Sequence, residues 1–149
     1  MAKKEEVKIT PEGIKLLTVM CYSGYTDGFY GKEVYFTDGF EGNTQYLYQA
    51  LGNIGAYARN RDIDSDISYV IIGNKIVKNP DSDLYNSFVT EFESLLNQNN
   101  SPYRKMYFIT EDQLIWKIES RASNTSDDDL KMFIKKYKDS IKNYQTNLF

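Results

Sequence analysis

Short apolar runs, each followed by a helical stripe of apolar residues, constrain this chain more than any other feature. Val34-Tyr35-Phe36, Tyr69-Val70-Ile71-Ile72 and Met106-Tyr107-Phe108-Ile109 are rich in β-branched and aromatic residues and too short for helices. After the first run, Asn43 or Thr44 caps a helix with Leu47, Leu51 and Ile54 on one face, and Gly55 stands where a glycine ends it. After the second, Asn79-Pro80-Asp81-Ser82 breaks the chain and caps a helix carrying Leu84, Phe88, Phe92, Leu95 and Leu96. After the third, Thr110 and Gln113 form a capping box ahead of Leu114, Ile115 and Ile118. A weaker strand fits residues 56–61. This alternation predicts an α/β fold: a parallel sheet with helices on both faces.

The 149 residues suit one domain with extensions. Residues 1–30 form an N-terminal extension, 31–122 the core, and 123–149 a linker, an amphipathic helix and a tail. In the extension, Thr10-Pro11-Glu12 reads as a helix start, whereas Leu17, Val19 and Cys21 alternate as in a strand. Asp27-Gly28 signals a turn, and Tyr25-Thr26-Asp27-Gly28-Phe29 is echoed by Phe36-Thr37-Asp38-Gly39-Phe40, which fits two similar turns around one strand. If the first turn closes a hairpin, an extra antiparallel strand precedes the core. Ser126 and Asp129 fit a second capping box, and the following helix turns Leu130, Phe133, Ile134, Tyr137 and Ile141 to one side.

The chain has no His and one Cys, so the commonest general base, an internal disulfide and CxxC sites are all excluded. A reducing, cytoplasmic location is expected. The opening residues are charged and unlike a signal peptide, and no apolar run approaches a membrane span. A net charge of −3 argues against general nucleic-acid binding. Thirteen Tyr residues suit a sheet protein with contacts to make.

Three segments resemble the BRCT family: Gly31-Lys32-Glu33-Val34-Tyr35-Phe36-Thr37, Asp66-Ile67-Ser68-Tyr69-Val70-Ile71-Ile72-Gly73, and Met106-Tyr107-Phe108-Ile109-Thr110-Glu111-Asp112-Gln113-Leu114. The resemblance implies four strands and three helices, with the first strand inside the sheet. It implies a non-catalytic binding module of DNA repair or replication proteins, with no cofactor. The closest motif style is that of NAD-dependent DNA ligases and clamp loaders. In phosphopeptide-binding members a hydroxyl ending the first strand, a following Gly amide and a Lys near the second helix hold phosphate. Thr37 matches the hydroxyl; Gly39 is displaced by one position, and Asp38 adds a negative charge. Lys75 and Lys78, in the preceding loop, are the basic substitutes, because Asp83, Tyr85 and Asn86 occupy the region of the Lys. The plainer reading is that Thr37 ends a strand. Trp116 stands where these domains often carry a core Trp.

Other constellations are weaker. Asp62, Asp64 and Asp66 alternate like a calcium loop, but Ile67 and Gly73 replace the required Gly and Glu, leaving an acidic turn. Glu91, Glu93, Glu111 and Asp112 fit solvent faces or caps better than acid–base pairs. Arg59 and Arg61 share one face of the weak strand, as phosphate contacts or solvated edge charges. Lys131, Lys135, Lys138 and Lys142 line the last helix, as a nucleic-acid stripe or an exposed face. The final Gln145-Thr146-Asn147-Leu148-Phe149 resembles the bacterial sliding-clamp-binding pentapeptide, with Gln145, Leu148 and Phe149 as anchors and Thr146 off the pattern. The same residues also suit an apolar pair folding onto the preceding helix. The expected partner is therefore a protein, such as a clamp, with DNA bound only weakly. Two rivals stand beside this reading. One is a small doubly wound nucleotide-binding protein or enzyme, although residues 37–42 lack a phosphate-loop Lys-Ser/Thr. The other is a structural oligomer.

Overall fold

The structure is a computed structural model that describes residues 29–98 and 106–146. The element order is β1 (Glu33–Phe36), α1 (Thr44–Ile54), β2 (Tyr57–Arg59), β3 (Ile67–Ile72), α2 (Asn74–Lys78), α3 (Asp83–Leu96), β4 (Tyr107–Thr110), α4 (Glu111–Thr125) and α5 (Asp128–Thr146). The four strands form one sheet in the order β2-β1-β3-β4, every pair parallel. Parallel neighbours require a crossover between them, and here helices provide it on both faces. The features expected in residues 1–28, Cys21 and the Asp27-Gly28 turn included, lie outside the described residues.

Side-chain alternation divides the sheet between two cores. Val34, Phe36, Ile71 and Ile109 face α1, α4 and α5, meeting Leu47, Leu51, Leu114, Ile118, Leu130 and Ile134. Val70, Ile72 and Phe108 face α2 and α3, meeting Ile76, Tyr85, Phe88, Phe92 and Leu96. Phe108 meets Phe88 and Phe92 edge-on, at centroid distances of 6.4 and 5.7 Å, a favoured aromatic geometry.

Local chemistry sets the helix ends. Asn43 accepts from the Gln45 amide, and Gly55 closes α1 in the left-handed region at φ 91°. Ser82 accepts from the Tyr85 amide, and Thr110 with Gln113 forms the expected capping box.

Several expectations are corrected. The first strand starts at Glu33 rather than Gly31, because Gly31 adopts φ 70° in the turn before it. Leu84 is exposed and Tyr85 takes its inward place on α3. Trp116 is 50% exposed, since Leu114, Ile115, Ile118 and Ala122 occupy the buried face of α4. The linker expected to open the 123–149 segment shrinks to Ser126 and Asp127, as α4 runs on to Thr125. Asp127, not Ser126, caps α5 by accepting from the Leu130 amide at 3.1 Å. Among the described residues five helices flank the sheet, the three core helices and the C-terminal helix that were expected plus the short α2, which was not. The apolar face expected on α5 packs onto the domain, with Leu130, Ile134 and Tyr137 in the core over α1 and α4.

Ile71 has no exposure at the centre of β3. Ile71→Asp would place an unpaired charge there, at a cost of about 3–5 kcal/mol, close to the whole stability of a small domain. A urea titration followed by circular dichroism should show loss of the cooperative transition; a melt near that of the wild type would refute the buried β3.

Candidate functional site

Open parallel sheets bind ligands beyond the carboxyl ends of their strands, where the strand order reverses. Here that place lies between β1 and β3, bounded by Thr37 and Gly73. The chain fills it with its own atoms. The Thr37 hydroxyl donates to the Ile71 carbonyl at 2.9 Å and accepts from the Gly73 amide at 3.0 Å. A Cβ on Gly73 would lie 2.6 Å from the Asp38 carbonyl oxygen, so only glycine permits this approach. The Lys75 amide donates to the Gly39 carbonyl at 3.0 Å, tying the next turn down.

A buried carboxylate completes the closure. Glu111 is the first residue of α4, directly after β4, and has no exposure. It accepts from the Asn74 amide at 3.0 Å, from the Glu41 amide at 3.2 Å, and from the Tyr137 hydroxyl. That hydroxyl accepts in turn from the Gly42 amide at 3.1 Å. Its position at a helix N-terminus also favours negative charge. An outer layer shields this cage. The Asn74 side-chain amide donates to Glu41 at 2.7 Å and to Asp112 at 2.8 Å, and the Lys78 ammonium donates to Glu41 at 2.9 Å.

The two carboxylates differ in titration. Burial pushes Glu111 above the ordinary carboxylate range, and the bonds from Asn74, Tyr137 and Glu41 only partly offset it. The Lys78 hydrogen bond holds Glu41 below that range, and Glu41 raises Lys78 reciprocally. Burial, then the Glu111 contact, raises the Tyr137 phenol, which stays protonated and donating.

The four phosphate candidates are only partly assembled. Thr37 is nearly buried, and its hydroxyl serves the backbone. Gly39 and Lys75 are adjacent, the Lys75 Cβ lying 3.3 Å from a Cβ placed on Gly39. Lys78 is paired with Glu41. Both lysines lie on α2, not in a loop. The small cleft beside Thr37, about 60 Å³, is walled by Asp38, Ser87 and Glu91 among others. Burial, then Glu91 and Asp38, raises the Tyr35 phenol, which marks the negative field there. A phosphate dianion would meet repulsion in that cleft.

Among the other candidates, Lys131, Lys135 and Lys138 line a groove of about 430 Å³ between α4 and α5. Lys138 pairs with Glu119 at 3.0 Å and Lys135 with Asp139 at 3.7 Å, so two of the lysines already have counter-charges. Lys142 and Gln145 fall on α5 but their side chains, with Leu148 and Phe149, lie outside the described residues. Arg59 forks onto Asp64 at 2.7 and 2.9 Å and reaches Glu33 at 3.6 Å, so it is an edge ion pair. Asp64 also accepts from the Asp66 amide, which accounts for the acidic turn. No cluster of His, Cys, Asp or Glu suited to a metal ion occurs among the described residues. Glu111, expected at a solvent face or cap, is instead the first residue of α4 and is buried by α5, because Tyr137 lies over it.

No protein family, curated protein or solved structure matches this chain.

Glu111→Ala should cost about 3 kcal/mol or more, by leaving two amides and a phenol without their acceptor. Glu111→Gln keeps the shape and should cost about 1–3 kcal/mol, because one carboxylate oxygen becomes a donor facing Tyr137. The folded-state pKa of Glu111 lies above its ordinary 4.5, so its contribution is fully present below that value and lost as pH rises through the folded pKa. The stability advantage of wild type over Glu111→Gln should therefore shrink as pH rises from about 4.5, then level off. Urea titrations between pH 4 and 8 check this; an advantage that grows with pH would show the opposite shift.

Proposed function

We propose that the chain is a non-catalytic, BRCT-like protein-interaction module serving DNA repair or replication. One observation carries the non-catalytic part: the crevice where an open parallel sheet takes its ligand is occupied by Gly73, Thr37 and the Glu111 cage. The interior position of β1 and the order β2-β1-β3-β4 support the family likeness, which implies a first strand inside the sheet. With the crevice filled, recognition falls to the outer surface and the C-terminal tail. The acidic cleft beside Thr37 argues for partner recognition without phosphate.

The tail is the most specific partner element. Gln145 and Thr146 form the end of α5, so a partner that takes an extended pentapeptide must unwind that last turn. If the source is bacterial, the tail binds its own sliding clamp at micromolar affinity, on the order of −8 kcal/mol. The double substitution Leu148→Ala with Phe149→Ala should abolish that binding and leave the melting temperature unchanged. Calorimetric titration against the clamp, paired with a thermal melt, tests this. No binding by the intact chain, or a melting temperature several degrees lower, would sink the clamp assignment.

DNA contact is secondary. With two described lysines of the α5 stripe already paired, duplex binding should be weak and fall steeply with salt. Fluorescence anisotropy with 5′-phosphate and 5′-hydroxyl duplexes should show this; tight, salt-insensitive binding would overturn it. The nucleotide-binding rival predicts a thermal shift with nucleotides, whereas a filled crevice predicts none.

A further inference from the structure

We propose that α5 exchanges between two copies of the chain, the connector opening so that α4 and α5 run on as one helix. This concerns assembly and goes beyond the recognition role above. The connector consists of Ser126 and Asp127 alone. Ser126 sits in the left-handed region at φ 54° and ψ 39°, a conformation that a side chain bearing a Cβ disfavours. With only two residues, the turn has no slack over which to spread that strain. Residues 111–146 contain neither Gly nor Pro, so nothing in the sequence stops a helix from passing straight through. Such a helix would be about 50 Å long and would carry α5 clear of its own domain.

A departed α5 needs a replacement surface. Its buried Leu130, Ile134 and Tyr137 fit one surface known on this molecule, the face of α1 and α4 that they leave behind. A second copy presents that same face, empty in the same way. Tyr137 of each copy would then donate to Glu111 of the other, so each carboxylate cage is complete only with its partner. Contacts between α5 and the core are identical in the closed monomer and the exchanged dimer. The balance therefore lies between hinge strain, relieved in both copies, and the entropy of association.

Hinge variants move that balance in opposite directions. Ser126→Gly removes the strain and should lower the dimerisation constant by roughly tenfold or more, since both copies lose the gain. Ser126→Ala with Asp127→Ala removes the α5 cap, keeps a Cβ at the strained position and favours continuous helix, and should raise it. Light scattering across concentrations up to about 1 mM should place the wild type between the two. A wild type that stays monomeric throughout, or variants that fail to fall on opposite sides of it, would overturn the exchange. A mixing experiment separates exchange from ordinary side-by-side pairing. Glu111→Gln and Tyr137→Phe chains are combined, warmed and cooled, then followed by native mass spectrometry and thermal unfolding. An exchanged heterodimer regenerates one intact Glu111–Tyr137 pair and should melt above both parents. Dimers with no such recovery would show pairing through another face and refute the exchange.

Discussion

Glu111 joins four parts of the chain that are distant in sequence: the β1–α1 turn, the start of α2, the start of α4 and the middle of α5. A carboxylate without access to water is costly unless its oxygens are met by donors, and here two amides and a phenol meet them. The cost makes the arrangement specific. The two turns must come together for their amides to converge, and α5 must seat Tyr137 between Glu111 and Gly42. A sheet end that would otherwise expose unpaired backbone groups becomes a closed polar cluster.

The same closure fills the place where such sheets ordinarily bind ligands. An anion arriving at the carboxyl ends of β1 and β3 finds the amides of Glu41, Gly42 and Asn74 already engaged. The Thr37 hydroxyl has likewise both donated and accepted. Beyond it, Asp38 and Glu91 set a negative field that burial of Tyr35 makes felt.

Much of the framework was legible because the patterns that encode it are local. Parallel strands covered on both faces must be nearly continuous apolar runs, and Tyr69-Val70-Ile71-Ile72 is one. Asn43, Gly55, Ser82, Thr110 and Gln113 each act within a few residues of themselves, so their types revealed the helix ends. Leu84 and Tyr85 show where this fails. Either residue continues the spacing of Phe88 and Phe92, and only the angle at which α3 meets the sheet decides between them. Trp116 shows the opposite case: its size and apolar ring suggest a core role, but Leu114, Ile115, Ile118 and Ala122 already fill the inward face of α4. The Glu111 cage was invisible because Glu41, Asn74 and Tyr137 stand 70, 37 and 26 residues away from it. Five-residue α2 is too short to display a helical period at all.

The edges of the sheet have their own consequence. β2 is three residues long and β4 four, and Arg59 on β2 is locked to Asp64 and Glu33. A strand so short and so charged offers little template for a foreign chain to extend by backbone pairing. Among the described residues, therefore, strongly apolar interior strands are flanked by short edges, an arrangement that disfavours fibre-like growth by strand addition.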